Sequence, residues 1–288
     1  MQDRPWTVLS ILDWGTEYFS QKRVRNPRFS IEWLLSHILE VKRLDLYLLF
    51  DRPLHTDELN RLRPMVQRRA KYEPLQYITG KVDFFGIELT VTSGVLIPRP
   101  ETEELVEYIL DSHNDDAPKK LIDIGTGSGC IALSIKKQRP NWEVWATDLS
   151  ESALRVAQQN GKELGLQIHW FQDDVFAPEL LRHYPELTQS CDILVSNPPY
   201  ILNDERETLD REVREFEPEV ALFCSSTHRM YSALMDQSKR VLKPHRSHLY
   251  FEVHENYANE VQELCNEYGY TSEIVTDLAG KNRFVTGS

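Results

Sequence analysis

The tetrapeptide Asn197-Pro198-Pro199-Tyr200 sets a side-chain amide, two imino residues and an aromatic ring directly after the apolar run Asp192-Ile193-Leu194-Val195-Ser196. These residue types suit alkyl transfer to a weakly nucleophilic nitrogen. An amide or aromatic amino nitrogen has a delocalised lone pair and attacks even a sulfonium-activated methyl poorly. A site can help by accepting both N–H protons and aiming the nitrogen along the methyl–sulfur bond. Asn197 offers its side-chain oxygen and Pro198 its carbonyl. The fixed φ angles of Pro198 and Pro199, and their lack of an N–H, hold that carbonyl without local competition. Tyr200 presents a flat face to a planar group. No strong general base is required, because the nitrogen becomes very acidic once methylated. A plain reading, a proline turn closing a strand, competes with this one.

A second constellation lies upstream. Gly125-Thr126-Gly127-Ser128-Gly129 follows Leu121-Ile122-Asp123-Ile124 and opens a helical run at Cys130. Glycines are needed where backbone turns sharply and approaches a ligand more closely than a Cβ permits. Alone, the loop fits any nucleotide binder or a tight strand-to-helix turn. Asp148, 19 residues after Gly129 at the end of the next apolar run, can accept from both hydroxyls of a ribose. The GxGxG spacing, unlike the GxGxxG of dinucleotide folds, leans toward S-adenosylmethionine, which has no pyrophosphate to place on a helix N-terminus. After a third run, Asp173-Asp174-Val175 offers a carboxylate for an adenine amino group. Asp174 is preferred, with Asp173 and a solvent-exposed turn as alternatives.

These loops need strands to end in them. Leu121–Ile124, Glu143–Thr147, Ile168–Phe171, Asp192–Ser196 and His248–Val253 read as strands, with helices near 129–138, 150–164, 228–242 and 256–268. Alternation of this kind predicts an α/β fold with parallel strands and helical crossovers. Residues 5–71 read instead as helices, with apolar positions Val8, Leu9, Ile11, Leu12 and Leu34, Leu35, Ile38, Leu39 at three-to-four spacing. Thr56 is the expected N-cap of a helix carrying Arg61, Arg63, Arg68, Arg69 and Lys71, a solvated face or a partner-docking one. Val82, Phe84, Ile87, Leu89 and Val91 alternate across Gly86 as a short β-hairpin. The expected domains are therefore 1–80, helical and substrate-recognising; 81–100, a hairpin linker; and 101–288, cofactor-binding and catalytic.

Composition narrows the classes. The 288 residues include 33 Lys+Arg against 45 Asp+Glu, a formal charge of −12. Residues 1–80 carry 13 basic and 10 acidic side chains, so 81–288 stands at −15. An acidic body is a poor partner for bare phosphates, and direct nucleic-acid binding is not expected. Cys130, Cys191, Cys224 and Cys265 are scattered without a CxxC pair, which suits reduced packing thiols rather than a disulfide framework, and no metal site is expected. The apolar runs are far shorter than the ~20 residues a spanning helix needs. With no leader pattern at the N-terminus, a cytoplasmic, membrane-free monomer is expected.

Taken with the Gly125–Gly129 loop, Asn197–Tyr200 resembles the amino-methylating branch of class I S-adenosylmethionine-dependent methyltransferases. Three further stretches resemble the release factor glutamine methyltransferase family. They are Pro74-Leu75-Gln76-Tyr77-Ile78-Thr79-Gly80, Gly94-Val95-Leu96-Ile97-Pro98-Arg99-Pro100-Glu101-Thr102-Glu103, and Asp277-Leu278-Ala279-Gly280-Lys281-Asn282-Arg283-Phe284. The resemblance covers essentially the whole chain. It implies a doubly wound, mostly parallel sheet with a small N-terminal helical bundle and a connecting hairpin. It also implies methylation of the side-chain amide (N5) of the glutamine in the Gly-Gly-Gln loop of peptide chain release factors, with S-adenosylhomocysteine as co-product. Cofactor contacts carry over to Gly125, Thr126, Gly127, Ser128, Gly129, Asp148, Asp174, Val175 and Asn197, and substrate contacts to Asn197, Pro198, Pro199 and Tyr200. The Pro98–Glu103 segment is expected to line the same cavity. Two stretches depart from the family: Phe223-Cys224-Ser225-Ser226-Thr227-His228 replaces a glycine-pair and acid, and Phe251-Glu252-Val253-His254-Glu255-Asn256 replaces a Glu-Ile-Gly type of run. Both are distant in sequence from the loop and the tetrapeptide, so their expected effect falls on the C-terminal surface. The competing function is amino methylation of a nucleic-acid base at the same tetrapeptide.

Overall fold

The computed structural model describes residues 5–288. The chain divides into two compact units. The first holds the described residues up to Gly80 together with Asp210–Phe216; the second holds Lys81–Leu209 and Glu217–Ser288.

The first unit contains helices α1 (Val8–Gln21), α2 (Pro27–Leu39), α3 (Thr56–Arg69) and α4 (Leu75–Thr79). Helix α1 is closed by a reciprocal cap in which the Thr7 amide donates to Ser10 Oγ at 2.8 Å and the Ser10 amide to Thr7 Oγ1 at 3.3 Å. Pro27 takes the first position of α2, where its missing N–H costs nothing. The apolar stripes converge: Val8, Leu12 and Phe19 of α1 and Ile31, Leu34 and Leu35 of α2 are fully buried in one core. Helix α3 starts one residue earlier than expected. His55 holds the cap position and Glu58 accepts its amide at 2.8 Å, so Thr56 is already inside the helix.

The second unit begins with the hairpin β1 (Lys81–Phe84) and β2 (Ile87–Thr90). Helix α5 (Pro100–Ser112) leads into β3 (Lys120–Ile124), α6 (Cys130–Gln138), β4 (Glu143–Asp148), α7 (Glu151–Leu164), β5 (His169–Gln172), the short α8 (Leu180–His183) and β6 (Ile193–Ser196). After the two-residue β7 (Ile201–Leu202), helix α9 (Arg211–Phe216) belongs to the first unit. The chain then forms α10 (Glu219–Leu222), β8 (Phe223–Cys224), α11 (Thr227–Val241), β9 (His248–Glu252), α12 (Ala258–Glu267), β10 (Ser272–Thr276) and β11 (Asn282–Gly287).

Seven strands form one sheet in the order β10-β11-β9-β6-β3-β4-β5. Five of them run parallel, as the helical crossovers dictate. Of the remaining two, only β11 runs against them: the short turn at Asp277–Lys281 can reverse the chain but cannot supply a crossover, so β11 is antiparallel to both β10 and β9. This hairpin is what the third family-like stretch builds. The five sequence-derived strands all exist within two residues of their expected limits. Buried Leu194, Leu249, Phe251 and Val285 come from three neighbouring strands and share a core with Tyr231, Leu234 and Met235 of α11. Among the described residues no helix is long and apolar enough to cross a membrane.

The basic helix is not the free face it suggested. Arg69 is buried, donating to Ser30 Oγ, to the Glu73 carbonyl and, at 2.8 Å, to Glu212 of α9. Arg68 is tied to Glu73 and to the Tyr77 and Ile78 carbonyls. Within the group, Arg61, Arg63 and Lys71 remain exposed without such ties.

Candidate active site at the switch point of the sheet

Strand β3 has β4 on one side and β6 on the other, and the chain winds outward from it in both directions. Loops leaving the carboxyl ends of β3 and β6 therefore diverge, which opens the crevice where open α/β sheets take ligands. A cavity of about 380 Å³ lies there. Gly125, Thr126 and Gly127 after β3, Asp148 ending β4, Asp173, Asp174 and Val175 after β5, and Asn197, Pro198 and Pro199 after β6 all line it. Residues far apart in the chain meet because the parallel strands end at one edge. Three expected site residues do not line it. Ser128 and Gly129 are packed behind the loop, and Tyr200 turns its hydroxyl to Glu252 Oε1 at 3.3 Å.

The glycine loop is held by the carboxyl end of strand β4 and, through the Thr126 hydroxyl, by Asp123. The Gly125 and Thr126 amides both donate to the Thr147 carbonyl at 2.9 Å. Gly125 and Gly127 have φ of +77° and +57°, and a Cβ on either would meet nothing within 4 Å. The loop thus presents bare backbone to open space. Gly129 serves packing instead: a Cβ there would stand 3.0–3.2 Å from Leu133, Trp170 and Ala157. Behind the loop, Asp123 is fully buried, accepts the Thr126 hydroxyl at 2.6 Å through Oδ2 and leaves Oδ1 without a partner. Burial, reinforced by Asp148, pushes its carboxyl up to about 7 despite that hydrogen bond.

Asp148 is prepared as an acceptor. Oδ2 takes the Gly127 amide and Oδ1 the Ser150 amide, each at 2.8 Å, which orients both oxygens and leaves a further lone-pair site on each. Burial raises its pKa, and the two amides oppose that rise. A vicinal diol is the ligand such a pair of oxygens fits. Asp173 and Asp174 each commit one oxygen to a downstream amide, that of Glu179 at 2.7 Å and that of Phe176 at 2.9 Å. Both line the cavity, so both remain acceptors for a nearby amino group. Bare loop backbone, a diol-oriented carboxylate and flanking Leu149 and Val175 together fit an adenosine-bearing group.

Helix α5 supplies a wall that the sequence reading located without assigning roles. Pro100 at its first position starts the helix beside the cavity and sets Thr102 in the first turn. Arg99 donates to buried Glu217 at 2.6 Å, and the Ile97 amide donates to the other Glu217 oxygen at 3.2 Å, which fixes the approach to the helix. Thr102 accepts from Asn197 Nδ2 at 3.0 Å and donates to Glu252 Oε2 at 2.7 Å. Glu252 escaped sequence reasoning, although the rule that ligands gather at strand carboxyl ends would have flagged it at the end of β9. The two family-divergent stretches are likewise not remote. Phe223, Cys224, Ser225 and Ser226 line the cavity, and Glu252 reaches the tetrapeptide. His254 packs near the Tyr200 ring, 6.1 Å between centroids, and accepts the Asn256 amide.

Comparison with known proteins gives matches over both units. Residues 10–80 match the family model described as PrmC N-terminal domain, and residues 102–215 match Methyltransferase small domain. A protein of Geobacter sulfurreducens named release factor glutamine methyltransferase is 43% identical over 77% of this chain and 76% of its own length. One of the same name from Chlorobaculum tepidum is 35% identical over 96% of this chain and 95% of its own. Among solved structures, the hMettl16 catalytic domain in complex with a MAT2A 3′UTR hairpin aligns with a TM-score of 0.52 and 16% identity, over 81% of this chain and 82% of that one. That degree of likeness speaks to the fold alone.

Proposed function

The chain belongs to the release factor glutamine methyltransferase family, and from that premise we propose that it methylates the side-chain amide nitrogen of the glutamine in the Gly-Gly-Gln loop of peptide chain release factors. The observation that carries the reading is the placement of Asn197-Pro198-Pro199 on the same cavity as Gly125–Gly127 and Asp148. S-adenosylmethionine supplies an electrophilic methyl on sulfur and leaves as S-adenosylhomocysteine. Asp148 accepts from the ribose hydroxyls, the backbone of Gly125–Gly127 gives close approach, and Asp174 with Val175 meets the adenine. Ser128 and Gly129 act by shaping the loop.

The acceptor amide is held by its own protons. Asn197 donates through Nδ2 to Thr102, which leaves Oδ1 to take one N–H of the glutamine; the Pro198 carbonyl takes the other. Both contacts draw density onto the nitrogen and fix its line of approach, a role for preorganised acceptors. The proton is lost to solvent after methylation, since the N-methylated cation is strongly acidic. Tyr200 anchors the end of the tetrapeptide through Glu252. The helical unit recognises the protein substrate, and the enzyme works as a monomer in the cytoplasm without nucleic acid. Base methylation is not favoured, since the relatives at 35% identity and above carry the protein-directed name.

The test is incubation of the chain with a release factor and S-adenosylmethionine, followed by mass spectrometry of the Gly-Gly-Gln peptide. A gain of one methyl on glutamine is expected. An unmodified peptide, or labelled methyl appearing on RNA or DNA instead, overturns the reading.

A further inference from the structure

Glu252 ends β9, and strand pairing sets Ser196 of β6 opposite Phe251, so Asn197 and Glu252 leave neighbouring strands side by side. Glu252 is buried, and three groups converge on it. The Thr102 hydroxyl donates to Oε2 at 2.7 Å, the Tyr200 hydroxyl to Oε1 at 3.3 Å, and the Tyr231 hydroxyl to its main-chain carbonyl at 2.8 Å. One carboxylate thus reaches both ends of the tetrapeptide, Tyr200 directly and Asn197 through Thr102. A hydroxyl has a single proton. Once Thr102 gives it to a carboxylate, Thr102 can only accept from its other neighbour, and of the two ends of the Asn197 amide only Nδ2 can donate.

We propose that Thr102 and Glu252 are positioning residues for methyl transfer: the carboxylate orders the Thr102 hydroxyl, and that hydroxyl locks the Asn197 amide with Oδ1 presented to the acceptor nitrogen. This rests on the function proposed above. Neither residue touches the reacting atoms. If Glu252 becomes protonated it can donate to Thr102, whose own proton is then released to approach Oδ1, and the Asn197 amide loses its preference. Burial pushes the Glu252 carboxyl up to about 7; Thr102, the charge of Arg283 on β11 and Tyr200 pull it down, and Glu101 on α5 pushes it up. Loss of the lock therefore falls in the neutral range.

The experiment uses the full chain, a release factor and S-adenosylmethionine, with Thr102→Val, Thr102→Ser and Glu252→Gln. Thr102→Val is expected to lower kcat by about 10²-fold, the scale of a small misplacement of a reacting group, with S-adenosylhomocysteine affinity by calorimetry within about twofold. Thr102→Ser restores kcat to within about threefold. Wild-type kcat falls as pH drops through about 7, and Glu252→Gln, which cannot titrate, loses that limb. A substrate-free arm separates this inference from the functional reading. In ¹⁵N-labelled protein the Asn197 side-chain amide, assigned by its loss in Asn197→Ala, is expected to shift with pH near 7 and in Thr102→Val but not in Thr102→Ser. Wild-type kcat in Thr102→Val overturns the proposal, as does failure of Thr102→Ser to restore it. An Asn197 resonance indifferent to pH and to Thr102 overturns it even if no release factor is methylated. Should Thr102→Val not fold, an unchanged acid limb in Glu252→Gln overturns it.

Discussion

Replacing Asp148 by Asn tests the proposed ribose contact most sharply, because the change is isosteric and its consequences can be counted. Both carboxylate oxygens already accept a backbone amide at 2.8 Å, so each has one site left for a ribose hydroxyl. Hydrogen bonds to a charged group are worth ~1.5–3 kcal/mol, roughly twice a neutral one. In the Asp148→Asn variant one oxygen survives as a neutral acceptor, and the other becomes an NH₂ aimed at either the Gly127 or the Ser150 amide. The cofactor loses one charged bond and keeps a weakened second, a loss of about 2–4 kcal/mol. At 1.4 kcal/mol per tenfold, the Kd for S-adenosylhomocysteine rises roughly 30- to 700-fold. Thermal stability changes little by contrast. The orphaned backbone donor costs about 1 kcal/mol, and relief of the burial that raises the Asp148 pKa offsets part of it. Titration calorimetry at pH 8 measures the Kd and a melting curve controls for folding. A Kd within threefold of wild type, with an unchanged melt, refutes the ribose assignment. Asp148 binds as the carboxylate, so wild-type affinity also weakens on acidification while the Asp148→Asn variant stays flat.

Asn197→Ala is expected to reduce kcat by ~10²–10³ while leaving cofactor affinity within about threefold, checked by methyl transfer to a release factor and by calorimetry. Arg69→Met strands Glu212 and loses three hydrogen bonds within the first unit, and since Glu212 keeps some solvent the expected cost is about 2–3 kcal/mol in urea unfolding; an unchanged midpoint contradicts the role given to Arg69. Asp123 has a folded-state pKa above its unfolded value, so the folded chain binds the proton more tightly, and the stabilisation present below pH 4 is lost as pH rises through about 7. Asp123→Asn removes that loss, so its melting temperature relative to wild type should climb between pH 5 and pH 8, whereas a constant difference would show that Asp123 is charged throughout.

Much of the fold was legible because it follows from short-range patterns. Five strands and four crossover helices were visible as alternating apolar runs, and Gly125–Gly129 and Asn197–Tyr200 stand directly at strand ends, where local order in the chain is also order in space. The hairpin β10–β11 was hidden, since Ser272–Thr276 and Asn282–Gly287 are short and their direction depends on a turn rather than on a periodic signal. The basic stretch of α3 misled for a related reason. A positive side chain looks the same in sequence whether it meets solvent or, like Arg69, a carboxylate 143 residues away.

By itself, the sequence determined what groups this protein can bring to a reaction: a glycine loop with bare backbone, an acid one strand later, and an amide followed by two prolines. Those are covalent properties of contiguous residues. Only the tertiary structure decided which atoms of those groups are available. Asp148 is a bidentate acceptor because Gly127 and Ser150 amides orient it, and Asn197 presents oxygen because Thr102, itself ordered by Glu252, takes its nitrogen. Hydrogen-bond direction depends on partners 95 and 150 residues apart in the chain, brought together where β6 and β9 run parallel and α5 begins, and no local pattern encodes it.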